Sequence, residues 1–407
     1  MKNIFYFFVF GIVLSSCIKK DNRHIQSNST YYVFDLDKVP IEDTILLSSF
    51  VKSITPIPLE TKDENLLGFV SSLQTTAQYI FVSDNSASKS IFMFAKDGKF
   101  IRKIGRFGQG PGEYLSIHDF TISEANHLIY ILDDESNTIL VYDFLTGDFI
   151  RDIAVNHEQY MYDYIQLADS MLWGNVNQYT LQQKGEMLQA LDMEAGKVQG
   201  KYLDLETHNL GWRKSFYREG GFFFNRLSAE PKYCNYFMDT VMVVRHHTVV
   251  PYAVIQLKDW ISKEDKTEDH SPVPNPANDL LMQADQKEVA FNIQNYAETD
   301  HYIYFTYRKQ GKEIYVIYNK QTDKLRQTYC LANDLLYNNP YVNIDLIGCE
   351  DKDGIYGYIS PQSIPAYYEY AINDSINSLM KPEFRRLLKD KVVEEANPII
   401  FYYEYKK

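Results

Sequence analysis

The chain has 407 residues, a formal net charge of −13 and an aromatic content of 15%, with 33 tyrosines and 24 phenylalanines. This acidity, without any cluster of Lys or Arg, argues against nucleic acid as a partner, because phosphate contacts need positive charge. It argues equally against adhesion of a folded domain to anionic membrane surfaces.

Residues 1–16 carry Lys2 and then the apolar run Ile4 to Leu14. That run is too short to span a bilayer comfortably and has the layout of a signal peptide. Leu14-Ser15-Ser16-Cys17 falls at its end and resembles a bacterial lipobox. The resemblance implies cleavage before Cys17 and lipidation of that cysteine, with acyl chains that would hold the protein on a membrane. Ile18 to Thr30 is polar and aperiodic, so residues 17–30 read as a lipidated flexible tether. Residues 31–407 then form one domain.

Ile45 to Glu60 leads into the first blade, which Tyr79 to Asp84 and the run from Ile91 onward complete. Ile91 to Ala95 and Phe100 to Ile104 flank Asp97-Gly98, a strong hairpin signal. Ile104 to Tyr114 follows. Gly105, Gly108, Gly110, Pro111 and Gly112 exclude a helix or a ladder-paired strand there and specify a tight structural turn. Glu113 is expected to cap backbone N–H groups within it. A phosphate cradle would need a helix N-terminus after the glycines, and here a strand follows. Leu128 to Asp133 leads into a second hairpin, Ile139 to Ile150, turning at Thr146-Gly147-Asp148.

The turn glycines Gly98, Gly147 and Gly196 are spaced 49 residues apart, as are Ile104 and Ile153. A period of this length, with four short strands per unit, marks a β-propeller blade. Blades cannot cover their own faces, so they stack and the ring must close. Strands covered on both faces should be apolar at nearly every position, as Ile91–Phe94 and Ile139–Tyr142 are. The pattern then loosens. Tyr236–Val244 with Tyr252–Leu257 forms a fourth unit, and Lys258–Asp279 is a charged, proline-containing exposed loop. Leu280–Glu288 reads as a short helix. Tyr302–Tyr307 with Glu313–Tyr318 forms a fifth unit, and Gly354–Ile359 with Tyr367–Tyr370 belongs to a sixth. Pro382–Glu395 is an amphipathic helix with Phe384, Leu387 and Leu388 on one face. Ile399–Tyr403 is a final strand that should pair with N-terminal residues and close the ring. The expected fold is therefore all-β: a six-bladed propeller with a short C-terminal helix and a closing strand.

Gly105-x-x-Gly108-x-Gly110-x-Gly112-Glu113-Tyr114, followed by Ile129-Tyr-Ile-Leu-Asp133 and Ile139-Leu-Val-Tyr-Asp143, resembles the NHL-type repeat. Gly108 to Tyr114, after the Lys-Asp-Gly-Lys-Phe hairpin, is similar to the six-bladed propeller lipoproteins of Gram-negative bacteria. That likeness implies an envelope location, anchored at the outer membrane on a face left open by Lys19-Lys20-Asp21. It implies no settled activity.

No nucleophile elbow, Walker loop, H-E-x-x-H or Rossmann fingerprint occurs, so no catalytic residue is assigned. Read as part of a strand, His246 and His247 would point to opposite faces and could not share a metal. Cys234, Cys330 and Cys349 would allow one disulfide in an oxidising envelope, but they read as buried small hydrophobes. Tyr160, Tyr162 and Tyr164, with Phe222 and Phe223, are the candidates for a ligand-binding face, since aromatic rings suit sugars and peptides. The preferred function is a non-catalytic envelope module, without a cofactor, binding a protein, peptide or glycan. The alternative is a hydrolase, lactonase or lyase with a divalent ion such as Ca²⁺ in the channel. Three or more carboxylate, amide or imidazole groups converging at the channel mouth would favour that alternative.

Overall fold

In a computed structural model, residues 23–26, 29–155, 161–177, 185–212, 222–224, 226, 228–265, 280–338, 349–372, 379–391 and 396–407 are described. The chain forms six blades around a channel, a six-bladed β-propeller. Blade 1 runs Ser72–Thr75, Tyr79–Asp84, Ser90–Ala95 and Phe100–Ile104 from the channel outward. Blade 2 runs Asp119–Ser123, Leu128–Asp133, Thr138–Asp143 and Phe149–Ala154. Blade 3 runs Tyr162–Ala168, Met171–Val176, Glu186–Leu191 and Val198–Asp204. All neighbours within these sheets are antiparallel.

The 49-residue period has a steric cause. Gly98 and Gly196 each sit in the turn between the third and fourth strands of their blades, at φ +87° and +64°. A Cβ on Gly98 would lie 2.2 Å from the Pro58 carbonyl oxygen, and one on Gly196 would lie 2.2 Å from that of Ala154. Pro58 and Ala154 end the outer strands of the preceding blades. The turn glycine is thus the point where one blade leans on the edge of the last.

Blade 4 comprises Phe222–Phe224, Lys232–Cys234, Thr240–Arg245 and Thr248–Gln256. His246 and His247 form the two-residue turn between its last two strands, at φ 51° and 56°. They lie in a left-handed turn, as hairpin twist demands, rather than on a strand as the sequence suggested. Blade 5 comprises Ala290–Glu298, Tyr302–Lys309, Lys312–Asn319 and Lys324–Thr328. A helix, Leu280–Gln286, precedes it.

The N-terminal segment differs from expectation. Ser29–Asp35 adds in parallel to the outer strand of blade 4, and Arg23–Gln26 folds back on it. Residues assigned to the tether therefore pair as strand, because ladder hydrogen bonds need only backbone and do not depend on apolar side chains. Ile41–Glu42 then adds to the outer strand of blade 5. Arg326 clamps the Glu42 carboxylate there through Nε (2.7 Å) and Nη2 (2.6 Å). Val51–Pro58 does not open blade 1; it is the outer strand of blade 6, antiparallel to Ile399–Tyr405. Ile399–Tyr405 pairs on its other side with Gly354–Ile359. The expected pairing of the final strand with N-terminal residues is present. Ile399, Ile400 and Phe401 are buried in it.

Two helices, Ile364–Ile372 and Pro382–Lys391, are inserted in blade 6. Tyr367–Tyr370 lies in the first helix and not in a strand. Its preceding Pro361 and the run without β-branched residues from Pro365 to Ala371 suit a helix. Phe384 and Leu388 of the second helix are buried and Leu387 packs beside them.

Candidate functional site

Strands converge on the channel at their inner edges, and the side chains there are polar. Arg226, just beyond the inner strand of blade 4, reaches the inner strands of blades 2 and 3. Its Nη1 and Nη2 donate to the two oxygens of Asp119, each at 2.8 Å, in a bidentate pair. Nη2 also donates to the carbonyls of Phe120 and Ile165, and Nε donates to Gln166 Oε1 at 3.0 Å. Both partners of the ion pair are largely buried, the Asp119 side chain at 2% exposure. Gln74 of blade 1 donates to the Phe120 carbonyl. One cation thus ties three blades together inside the ring.

A cavity of about 560 Å³ opens where the loops after the first and third strands of the blades meet. Five blades supply its walls. Thr75, Thr76 and Lys96 come from blade 1, Glu124 from blade 2, and Lys232 from blade 4. Glu298, Asp300 and Lys320 come from blade 5, and Glu350 to Asp353 with Tyr356 from blade 6. Six carboxylates and four lysines therefore share this mouth.

Most of these carboxylates have protein partners. Glu298 accepts from Lys320 Nζ (2.6 Å), Tyr252 Oη (2.6 Å) and Tyr296 Oη (3.0 Å). Asp351 accepts from Tyr402 and Tyr356 and from the backbone N–H groups of Asp353 and Gly354. Glu124 accepts from the Ala77 N–H at 2.8 Å. Carboxylates are thus gathered here, as the hydrolase reading requires. Yet among the described residues no three His, Cys, Asp or Glu side chains are grouped to hold a metal ion.

The lysines are less fully engaged. Lys232 is 4% exposed. Its Nζ donates to the Glu230 carbonyl (2.8 Å), lies 4.3 Å from the Tyr252 ring centroid, and is 3.9 Å from Glu298. Lys96 Nζ donates to Tyr356 Oη at 2.9 Å and sits 4.3 Å from the centroid of that ring. Burial pulls both amines below the usual lysine range, partly offset at Lys232 by Glu298, Glu230 and Glu350 and at Lys96 by Cys349, Asp351 and Glu124. Burial likewise raises the Tyr356 phenol, assisted by Asp351. Cys349 lies next to Thr75, and burial pushes its thiol up to about 12, which makes it inert.

The aromatic candidates lie elsewhere. Tyr162 is buried in the main core cluster and donates to Gln189 Oε1 at 2.6 Å, and Phe223 is buried in the same cluster. Tyr164 packs at its edge. Phe222 is in the inner strand of blade 4, while Tyr160 and Cys17 fall outside the described residues. Tyr162, Tyr164 and Phe223 do not line the cavity. The structure places the glycine-rich turn between blades 1 and 2. Gly110 N–H donates to Glu113 Oε2 at 2.8 Å, Gly108 N–H to the Tyr114 carbonyl, and Tyr142 Oη to the Gly112 carbonyl. Asp84 and Asp133, again 49 residues apart, accept from the N–H groups of Gly68 and Leu115 and so pin the connectors entering blades 1 and 2. Cys234 and Cys349 are buried, and Cys234, Cys330 and Cys349 are all free thiols.

Sequence reasoning missed Lys96, Lys232 and Arg226. The repeat gave no signal for Lys96: the equivalent positions of blades 2 and 3 are Leu145 and Glu194, with no common residue type.

Fold and channel together define a six-bladed propeller with a charged mouth, built on one continuous sequence unit. The chain belongs to the family described as a domain of unknown function (DUF4934), whose model matches residues 31–404. No curated protein matches it in sequence. Among solved structures it is similar to a "putative exported protein" of Bacteroides fragilis NCTC 9343, with 18% identity, a TM-score of 0.67, and coverage of 93% of this chain and 99% of that one. It is also similar to a member of the DUF4221 family from Bacteroides vulgatus ATCC 8482, with 11% identity, a TM-score of 0.51, and coverage of 88% and 97%. Likeness at these identities speaks to the fold alone.

The Arg226 network sets a stability test. Arg226→Met should cost about 3 kcal/mol in denaturant unfolding, because it leaves the buried Asp119 carboxylate uncompensated. Arg226→Met combined with Asp119→Leu should recover part of that loss. A single variant as stable as the parent would contradict the pairing.

Proposed function

We propose that this protein is an exported, lipid-anchored propeller of the cell envelope. Its role is non-catalytic: it binds a peptide, glycan or protein partner at the channel mouth. The observation that carries the binding role is the cavity itself. Its volume lies in the range of small-ligand sites. Loops from five blades converge on it, and two of its lysines, Lys96 and Lys232, each make one hydrogen bond among the described residues and keep further donors. Export is supported by the signal-like residues 1–16 and by the "putative exported protein" with the same fold. The anchor rests on the Leu-Ser-Ser-Cys sequence ending at Cys17. Its resemblance to NHL-like propeller lipoproteins points the same way, toward the outer membrane. Metabolic labelling with a palmitate analogue checks this: label should enter the parent protein and vanish in Cys17→Ser. Label retained in that variant would refute the anchor.

The gathering of Glu124, Glu298, Asp300, Glu350, Asp351 and Asp353 is the observation that favours the second reading, a hydrolase, lactonase or lyase using a divalent ion. A thermal-shift screen separates the two. Under the binding reading, a glycan or peptide raises the melting temperature by mass action, and EDTA changes nothing. Stabilisation by Ca²⁺ that EDTA abolishes, with a stoichiometric bound ion, would install the enzyme reading instead.

A further inference from the structure

We propose that the channel-mouth cavity recognises a carboxylate group on its ligand, with Lys96 and Lys232 as the anion-binding side chains; this rests on the binding reading of the same cavity. The two lysines differ from the others that line it. Lys320 is committed to Glu298 and to the Thr299 carbonyl, both at 2.6 Å, and Lys352 is exposed at the rim. Lys232, by contrast, is buried, and a carbonyl is its single hydrogen-bond acceptor among the described residues. Its nearest carboxylate, Glu298 at 3.9 Å, already accepts from Lys320 and two tyrosines. Lys96 has no carboxylate within 4 Å among the described residues, and its one acceptor there is the Tyr356 hydroxyl.

An ammonium group carries three donors, and burying it with donors unused is costly. Burial depresses both amines, so each gains on meeting a negative charge. Two such groups in the wall of an open cavity of about 560 Å³ offer unused donors to an anionic group of a ligand. The rim narrows the class of anion. Glu124 and Asp300 are exposed there, and Asp353 lies beside them. Their charge repels multiply charged groups such as phosphate while offering acceptors to hydroxyl or amide groups. A single carboxylate on an otherwise polar, uncharged body satisfies both zones. A uronic sugar and the C-terminus of a short peptide share that chemistry.

Isothermal titration of the full folded domain distinguishes these sources. The probes are glucuronate against glucose, acetyl-Ala-Ala against its C-terminal amide, and inorganic phosphate. At least one carboxylate probe should bind at least tenfold more tightly than its neutral counterpart and than phosphate. Lys96→Met and Lys232→Met should each weaken it at least tenfold. Methionine keeps the apolar stem, and an unchanged melting profile establishes that each variant is folded. Equal binding of acid and neutral probes, or affinity unmoved in both folded variants, would overturn the carboxylate assignment while leaving the binding reading in place. So would failure of all these probes in a protein still stabilised by another glycan or peptide. Failure of every probe, glycan and peptide would overturn both.

Discussion

The structure depends on one pairing: Val51–Pro58, from near the start of the chain, laid against Ile399–Tyr405, from its end. Each blade is apolar on both faces and must be covered by neighbours, so the stack is stable only as a closed ring. An open blade 6 would expose a strand carrying Ile399, Ile400 and Phe401, an edge that invites aggregation. The N-terminal segment approaches this position by crossing the outer edges of blades 4 and 5. Phe34, Leu36, Ile45 and Leu47 are buried along that path, so the closing strand arrives pre-positioned. That lowers the entropy cost of joining residues far apart in sequence.

Closure also creates the site. The inner strands are forced close together, and polar side chains must satisfy one another there. Arg226 does this in one region by binding Asp119 and three further acceptors. At the mouth the loops after the first and third strands diverge, and charges from five blades face a shared cavity. Carboxylates there are held by tyrosines, lysines and backbone N–H groups, while Lys96 and Lys232 keep donors in reserve.

The sequence showed the fold more clearly than the site, for physical reasons. Turn glycines recur at 98, 147 and 196: Gly98 and Gly196 meet the carbonyl that ends the preceding edge, and Gly147, at φ +83°, holds the same turn of blade 2 against the Arg102 side chain, so blade geometry was written as a period. The six-blade count, the helices near 280 and 382, and the terminal closure were legible from strand spacing and apolar patterning. The partners of Val51–Pro58 and of Ser29–Asp35 were not, because outer-edge pairing leaves no periodic trace. Tyr367–Tyr370 misled because an aromatic run suits a strand or a helix packed on the core. The cavity was invisible since its residues are separated by whole blades and the position of Lys96 is not uniform in the repeat, with Leu145 and Glu194 in the next two copies. Tyr162 and Phe223 drew attention as candidates for a ligand-binding face, and the structure shows both rings buried in the main core cluster.

Hydrogen exchange on the intact protein tests ring closure most directly. The amides of Val51–Pro58 that face Ile399–Tyr405 should exchange as slowly as those of Ile399–Tyr405 itself, and both should be released together in denaturant, as one cooperative unit. Exchange of Val51–Pro58 on the timescale of exposed loops, with Ile399–Tyr405 still protected, would contradict the account.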